Sequence, residues 1–499
     1  MGSKKDRTEY SDAALGQVMV VEGLDDPDIL HDEVFGTITD QGPNYRNVGW
    51  LGSAALMMKS QIGLGVLSIP GAFDTLGLIP GVLCLLAVAV ITTWSNHIVG
   101  VFKLNHPEIY GVADVGGMIS GRLGREILGA GFALYLTFGA GSGMLGASIG
   151  LNAVSTHGTC TAVFVAMTAI AVICLSSIRT LGRLSLLAWG GLVSLLVAGK
   201  DFRPKVKASS RSLKVAPLLL TALSQFIPLS AKEPHLLTVT VTIVTIAVGV
   251  QERPDTAPQQ GSWTSDYKLF GSPSFTEAIS AITTFIFAYA GTPLFFSIVS
   301  EMRDPRLYAK ALTICQIVVT ITYVTVGMVV YYFCGSYVAS PALGSAGKIV
   351  KQISYGIALP GLVVGATLST HMASKYVFVR ILAGSRHLAA NTMVHWGTWL
   401  GCTFSVGTVA YIVASGIPAF GRLVSLIGAL LGTLQCFQPM GCMWLYDNWS
   451  KGKMQEHRSR KWIFMLVEYT SAEYYCGREG KFEQISVSGF VLAQTFVMG

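Results

Sequence analysis

The stretch MMKSQIGLGVLSIPGAF (Met57–Phe73) is apolar enough to lie in a membrane, yet it contains residues that interrupt a helix. Gly63 and Gly65 permit backbone angles that other residues resist, and Pro70 cannot donate the next helical hydrogen bond. Irregular backbone in a bilayer is tolerated only where it faces protein, a cavity or a bound ligand. A break also creates a new helix amino terminus, which attracts anions such as carboxylates. Taken alone, the stretch equally fits close helix packing.

A second stretch, TTFIFAYAGTPLFFSIVSEMRDP (Thr283–Pro305), repeats this design with Gly291 and Pro293 near its middle. By our count of apolar runs, the two stretches lie in the first and sixth membrane spans. They are therefore five spans apart and run in opposite directions. This pattern indicates an inverted five-plus-five repeat, in which a substrate is held between discontinuous helices.

The composition is that of an all-α polytopic membrane protein. Of the 499 residues, 51% are hydrophobic and 13% are charged, whereas soluble domains carry about 25% charged residues. The net charge of +7 does not indicate nucleic-acid binding, because the basic residues fall in loops between apolar runs. The sequence contains no grouping of a nucleophile with a base and no cysteine–histidine metal pattern, so we expect neither an enzyme nor a metal site.

A bilayer-crossing helix needs about 20 mostly apolar residues, and the chain offers eleven such spans. The predicted spans are 48–73, 78–102, 126–151, 159–177, a fifth from 185, 274–299, 309–334, 349–371, 391–415, 421–441 and an eleventh from Trp462. Lysine and arginine concentrate in the loops after even-numbered spans, which predicts a cytoplasmic amino terminus. Residues 1–47 are polar and acidic, and we expect a disordered tail.

Two segments do not fit this pattern. Residues 199–238 interrupt the fifth span, and the segment 468–499 interrupts the eleventh, each with charged residues at mid-membrane depth. Clustered charge and irregular backbone are costly at that depth. One interpretation is that both are translated non-coding sequence, such as retained introns. The alternative is a native excursion whose half-helices pack inside the protein.

Three motifs carry a family resemblance. KSQIGLGVLSIPGAF, FAYAGTPLFFSIVSEMRDP and KYVFVRILAGSRHLAANTMVHW together resemble the amino acid/auxin permease family, in particular its fungal branch of N-system-like neutral amino acid permeases. The resemblance covers 48–198 and 239–465 and makes 48–467 the transporter domain. It implies a LeuT-like fold with eleven spans, and uptake of neutral amino acids driven by a proton gradient without a bound cofactor.

The resemblance also implies a substrate site. Backbone N–H groups at the first break would hold the substrate carboxylate, and carbonyl groups at the sixth-span break would hold its ammonium group. The substrate-binding residues implied in this way are Gly63, Leu64, Gly65, Val66, Phe287, Ala288, Tyr289 and Gly291. Phe287 and Tyr289 would line the side-chain pocket, although ordinary packing explains them equally well. Some family members have FAYQGQ here, whereas this chain has Ala290 after the tyrosine, which leaves side-chain selectivity open.

Lys59, which lies four residues before Gly63, is a candidate residue for coupling transport to an ion. An intramembrane ammonium group is costly and usually functional. Sodium-coupled relatives carry a neutral, sodium-ligating side chain near this place, so a lysine there could couple transport to protonation instead. The alternative is a lysine that extends to the membrane surface. The ion-coupling residues that we predict are Lys59, Ser369, Thr370 and His371. His371 would relay protons, or it would be a helix-end histidine at the interface.

These observations favour a proton-coupled symporter of neutral amino acids, with an amino acid and the lipid bilayer as its partners. We expect it in the plasma membrane, with the vacuolar membrane as the alternative. Two other functions stay open. The chain could be an amino acid sensor that no longer transports and signals through its acidic tail, or a non-functional product if the two atypical segments are present in the protein.

Overall fold

The computed structural model describes residues 30–32, 36–38, 48–178 except 63, 156 and 157, 253–254, 257–258, 260, 264–382 except 346, and 392–454. The predicted fifth and eleventh spans and the segments 199–238 and 468–499 lie outside these residues. In the amino-terminal tail, two short strands, β1 (Leu30–Asp32) and β2 (Gly36–Ile38), pair antiparallel. The rest of the tail is outside the described residues, so its disorder stays a prediction.

The remainder of the described chain is helical. The helices are α1 (Trp50–Gln61), α2 (Ile69–Leu76), α3 (Leu78–Asn105), α4 (Val112–Val154), α5 (Thr161–Ser176), α6 (Phe275–Tyr289), α7 (Thr292–Ser300), α8 (Tyr308–Cys334), α9 (Lys348–Ile381), α10 (Met393–Gly416), α11 (Phe420–Ile427), α12 (Thr433–Cys436) and α13 (Gln438–Met454). The first span is divided into α1 and α2, and the sixth into α6 and α7. The tenth span contains a π-helical turn, Gly428–Gly432, between α11 and α12.

The helices confirm a polytopic membrane protein. In the described part of the chain, 7 helical segments are long and apolar enough to cross a bilayer. They correspond to the predicted second, third and sixth to tenth spans. The fourth span, α5, is a shorter apolar helix of 16 residues, and the first is divided at its break.

Spans that are five apart in the chain contact each other. In the first and sixth spans, α1 contacts α7 and α2 contacts α6, so opposite halves meet. The second span (α3) contacts the seventh (α8), the third (α4) contacts the eighth (α9), and the fourth (α5) contacts the ninth (α10). Because the first half of the first span meets the second half of the sixth, and the second half meets the first, this pair is antiparallel. This pairing of equivalent helices confirms the predicted LeuT-like inverted repeat with discontinuous first and sixth helices.

The third span begins with a sharp bend. Within Val112–Val154, Ser120 and Gly121 leave helical geometry, and Gly121 has φ +63°. A side chain is strained at that angle, so glycine is required there. The segment before the bend lies against the segment after it, since a Cβ on Gly116 would come within 2.3 Å of the Gly124 carbonyl oxygen.

The interrupted helices are fixed at both ends. Before α1, the Val48 N–H donates to the Glu301 carbonyl oxygen (3.3 Å), and the Arg303 N–H donates to the Val48 carbonyl oxygen (2.9 Å). This backbone pairing joins the beginning of the first span to the end of the sixth. At the opposite membrane face, the Leu78 N–H donates to the Lys268 carbonyl oxygen at 2.9 Å. The two breaks therefore lie between fixed ends.

Candidate functional site at the helix breaks

The first break separates α1 from α2. Ile62, which follows α1, is extended (φ −78°, ψ 93°), and its N–H still bonds the Met58 carbonyl oxygen. A single 3-10 turn, Leu64–Leu67, follows. The Ser68 hydroxyl then donates to the Gly65 carbonyl oxygen at 2.7 Å. Pro70 falls in the first turn of α2, where a helix does not need the N–H that proline lacks.

The second break is tighter. α6 ends at Tyr289, and Ala290 is non-helical (φ −77°, ψ 48°). The Gly291 N–H donates back to the Tyr289 carbonyl oxygen at 2.8 Å, and α7 begins at Thr292 with Pro293 in its first turn. As in the first span, proline lies in the first turn after the break.

The two breaks touch each other through glycine. A Cβ on Gly65 would lie 2.5 Å from the Ala288 Cα and 2.9 Å from the Ala288 Cβ. A Cβ on Gly291 would lie 2.8 Å from the Gln61 Cγ. Both distances are shorter than real Cβ contacts. Glycine at 65 therefore permits the close approach of the two backbones, and glycine at 291 makes room for the Gln61 side chain.

Side chains donate hydrogen bonds to the backbone carbonyl groups that lose their helical partners at the breaks. The Tyr323 hydroxyl lies 2.7 Å from the Ala288 carbonyl oxygen and 2.8 Å from the Gln61 carbonyl oxygen. The Gln61 side-chain amide donates to the Tyr289 carbonyl oxygen at 3.2 Å, and the Tyr135 hydroxyl donates to the Ala290 carbonyl oxygen. Buried backbone carbonyls need such partners, so these side chains stabilise the interrupted geometry.

The seventh span supports this network from behind. The Gln316 side-chain amide donates to the Gln61 Oε1 at 3.4 Å. The Tyr289 hydroxyl donates to the Thr320 hydroxyl at 3.1 Å, and the Tyr289 and Tyr323 rings meet edge to face with centroids 4.9 Å apart. The sequence analysis named Tyr289 but missed Gln61, Gln316, Tyr323 and Tyr135. Buried glutamines inside apolar runs were a usable signal; the tyrosines gave none.

The predicted substrate residues come together only in part. Gly65, Val66, Ala288, Tyr289 and Gly291 are buried at the contact between the breaks. Gly63 and the side chain of Leu64 lie outside the described residues. Phe287 packs against an apolar cluster that includes Phe420 and Leu423 of the tenth span, whereas the Tyr289 hydroxyl donates to Thr320 of the seventh. That both residues line the side-chain pocket stays a prediction.

The predicted coupling residues lie on α1 and α9. Lys59 belongs to α1, but its side chain is outside the described residues. On α9, the Thr370 hydroxyl bonds its own helix at the Ala366 carbonyl oxygen, and Ser369 is partly buried. His371 is fully buried, with its Nδ1 3.2 Å from the Ser176 carbonyl oxygen.

The position of His371 bears on the two alternatives for this residue, a proton relay and a helix-end histidine at the membrane interface. Its ring contacts that of Trp399 on the ninth span, with centroids 5.1 Å apart. α9 continues well beyond it, to Ile381. A helix-end histidine at the membrane interface would be partly exposed, so that interpretation does not fit. The described contacts of His371 are with the fourth and ninth spans, and its role as a proton relay stays a prediction.

A carboxyl group lies where α7 ends. Burial raises the pKa of Glu301, and the positive charge of Lys375 on α9 acts in the opposite direction. Glu301 also contributes its carbonyl oxygen to the backbone pairing with Val48. This end of the sixth span therefore combines a partly buried acid with a fixed backbone.

The Tyr323 hydroxyl should contribute measurably to stability. Tyr323→Phe leaves the carbonyls of Gln61 and Ala288 without this donor, and an unsatisfied buried group costs about 1–3 kcal/mol. We expect a lower melting temperature for the protein purified in detergent. Tyr355→Phe is a matched control, because its buried hydroxyl has no partner among the described residues and its removal should cost close to nothing. Equal melting temperatures for the two variants would show that the Tyr323 bond does not stabilise the break.

Comparison with known proteins agrees with this geometry. Residues 46–472 match the model of the transmembrane amino acid transporter protein family. A protein of Gibberella moniliformis named as a transmembrane transporter is 34% identical over 420 residues, which cover 83% of this chain and 78% of that protein. The N amino acid transport system protein of Neurospora crassa is 30% identical over 404 residues, 79% of this chain and 77% of that protein.

Solved structures show a weaker likeness. MhsT in complex with L-phenylalanine aligns at 11% identity with a TM-score of 0.42, covering 90% of this chain and 98% of MhsT. A Na+-coupled sialic acid symporter aligns at 11% identity with a TM-score of 0.43, covering 91% and 92%. At these scores, the alignments add nothing to the helix arrangement described above.

Proposed function

The chain belongs to the transmembrane amino acid transporter family, and we propose that it is a proton-coupled symporter of neutral amino acids. An integral, multi-pass membrane protein of this family transports amino acids. The neutral side chain of the substrate, the proton as coupling ion and the residues of the site are our proposals.

The contact between the two broken helices is the observation that carries the proposal. A zwitterion needs an anion-binding group next to a set of acceptors. The first break contains the 3-10 turn Leu64–Leu67, and the first N–H groups of such a turn have no partner within it and attract a carboxylate. The second break takes the carbonyl oxygens of residues 287–289 out of regular α-helical hydrogen bonding, and such oxygens attract an ammonium group. We assign the carboxylate to Gly63–Val66 and the ammonium group to Phe287, Ala288 and Tyr289.

Neutral selectivity is supported by the side chains at the breaks. In the described part of the chain, the polar side chains that donate hydrogen bonds to carbonyl groups of the breaks are Gln61, Ser68, Tyr135 and Tyr323. All four are uncharged at physiological pH. A substrate with an ionised side chain would need a buried partner of opposite charge, whereas an apolar or amide side chain would not.

Proton coupling is supported by the position of Lys59 in α1, inside the first span. We include Ser369, Thr370 and His371 in the coupling machinery because they lie on the eighth span. We propose the plasma membrane as the location, with the vacuolar membrane as the alternative. A cytoplasmic amino terminus follows from the distribution of loop lysines and arginines.

Uptake of labelled amino acids by a transport-deficient cell tests the function. The full chain and a chain without 199–238 should be compared over a panel of amino acids and external pH values. We expect neutral amino acids to accumulate, and to accumulate faster at acidic external pH. Binding without accumulation would contradict transport and favour the sensor. Activity only after the deletion would favour the interpretation that the segment is not native.

A further inference from the structure

The carbonyl oxygens proposed for the substrate ammonium group already have donors. The Ala288 carbonyl oxygen accepts from the Tyr323 hydroxyl at 2.7 Å. The Tyr289 carbonyl oxygen accepts from the Gln61 side-chain amide at 3.2 Å and from the Gly291 N–H at 2.8 Å. A carbonyl oxygen has two lone pairs, so the Tyr289 oxygen is saturated. An ammonium group can donate a full hydrogen bond to the Tyr289 carbonyl oxygen only by displacing one of these two donors.

Of the two donors, Gln61 is the one that can move. The Gly291 N–H belongs to the backbone turn that makes the break, whereas Gln61 donates from the end of a flexible side chain. Gln61 is 4% exposed, so water does not replace its hydrogen bonds when it moves. Leaving a buried amide without an acceptor costs free energy. The Gln61 amide therefore needs a second acceptor nearby when it moves.

The neighbouring glutamine provides that acceptor. Because the Gln61 Nε2 faces the Tyr289 carbonyl, its Oε1 faces the other way and accepts from the Gln316 Nε2 at 3.4 Å. This contact fixes the orientation of the Gln316 amide as well. Its own Oε1 is buried and has no hydrogen-bond partner among the described residues. Gln316 is 4% exposed. Its Oε1 is therefore a buried acceptor close to the Gln61 amide, which is the donor that can be displaced.

We propose that Gln61 holds the place of the substrate ammonium group, and that Gln316 receives the Gln61 amide when the substrate binds. Without substrate, Gln61 Nε2 satisfies the Tyr289 carbonyl and Gln316 Oε1 is left unpaired. With substrate, the ammonium group bonds the Tyr289 carbonyl. Gln61 Nε2 turns to Gln316 Oε1, and the two amides bond each other reciprocally. This inference rests on the proposed function and assigns two positioning residues to it.

The exchange has a consequence for selectivity. Displacement leaves every group in the pair bonded only if the incoming ligand brings a strong donor of its own. A ligand with a carboxylate but no ammonium group would leave Gln61 in place. The glutamine pair would thus favour amino acids over simple carboxylic acids, and it would do so with uncharged side chains.

A double-mutant cycle in uptake assays tests the exchange. Gln316→Met keeps the length of the side chain and removes the acceptor, so Gln61 has no second partner. We expect the KM for a neutral amino acid to rise about tenfold, which corresponds to about 1.4 kcal/mol. In the Gln61→Met background no amide needs the acceptor, and the same Gln316→Met change should leave KM unaltered. Equal effects in both backgrounds, or no effect in either, would overturn the proposal.

Two controls make the result specific. Gln435→Met removes another buried amide, which donates to the Leu128 carbonyl oxygen and whose Oε1 has no partner in the part of the chain that the structure describes. The KM of this variant should match that of the unaltered chain. An analogue of the substrate that keeps the carboxylate but lacks the amino group should inhibit uptake equally in the unaltered chain and in Gln316→Met. A tenfold weaker inhibition in Gln316→Met would show that Gln316 acts through something other than the ammonium group.

The outcomes separate this inference from the function on which it rests. Each variant is normalised to its amount at the membrane, and Gln316→Leu replaces Gln316→Met if the latter does not reach the membrane. A chain that neither binds nor accumulates any amino acid would overturn both proposals. A chain that transports normally but shows no coupling between Gln61 and Gln316 would overturn the exchange alone.

Discussion

Gly65→Val is expected to reduce uptake to background while the protein still inserts into the membrane. The β-carbon alone would lie 2.5 Å from the Ala288 Cα and 2.9 Å from its Cβ. The nearest of these atoms is backbone, so the conflict cannot be relieved by a rotamer change. Overpacking of this kind costs about 1–3 kcal/mol or more. The cost falls at the contact between the breaks and not on the outer helices that hold the protein in the bilayer.

The loss of uptake should grow with the size of the side chain that replaces Gly65. Gly65→Ala should lower uptake about fivefold to 150-fold, by the conversion of about 1–3 kcal/mol into an equilibrium constant, and valine should lower it further. Gly71→Ala is the matched control, because a Cβ there meets nothing within 4 Å, and it should transport normally. Uptake and surface expression are measured together. Normal uptake by Gly65→Val would exclude the contact between the breaks as the transport site.

The sequence predicted the breaks because the residues that cause them are local. Glycine and proline act on their own backbone and the adjacent turn, so their positions at 63–70 and 291–293 locate the interruptions directly. The antiparallel pairing followed from the spacing of the two broken spans. For the same reason most helix bounds agree with the predicted spans to within a few residues. The bend at Gly121 joins the third span to the helical segment before it, and the helices of the eighth and tenth spans continue to Ile381 and Met454, beyond the predicted ends at 371 and 441.

The side chains that complete the site could not be read in the same way. Gln61 bonds a carbonyl 228 positions away, and Tyr323 joins the first span to the sixth from the seventh. Such contacts depend on how the helices cross, which no local pattern encodes. Phe287 and Tyr289 are two residues apart on α6 and therefore point about 200° apart, so the partners of each side chain depend on which spans pack on the two sides of the helix.

Lys59→Ala is expected to remove the dependence of uptake on the proton gradient. Lys59 follows Trp50, the first residue of α1, by nine residues, which places it about 14 Å along the helix axis. Trp50 itself lies under the Lys310 ammonium group, 4.4 Å from the ring centroid, as befits a residue at the membrane interface. With a hydrocarbon core of about 30 Å, Lys59 lies near the middle of the bilayer. Because an ammonium group is costly at that depth, we propose that Lys59 has a function in transport.

The measurement is uptake over a range of external pH, with and without a protonophore. In the unaltered chain we expect uptake to rise as external pH falls and to collapse with the protonophore. In Lys59→Ala, uptake should be slower and insensitive to both. Lys310→Ala removes a lysine at the membrane interface and should keep the pH response. An unchanged pH profile in Lys59→Ala would remove Lys59 from the mechanism.

Lys59→Arg separates a proton carrier from a fixed charge. Lysine can release its proton when its surroundings change, whereas a guanidinium group stays protonated in proteins. If Lys59 only supplies positive charge in place of a sodium ion, arginine should retain pH-dependent uptake. If Lys59 takes up and releases the coupled proton, arginine should hold the charge through the whole cycle and stop accumulation, as alanine does by never carrying it. We expect the second result, because an ion that drives transport must leave its site on the opposite side of the membrane.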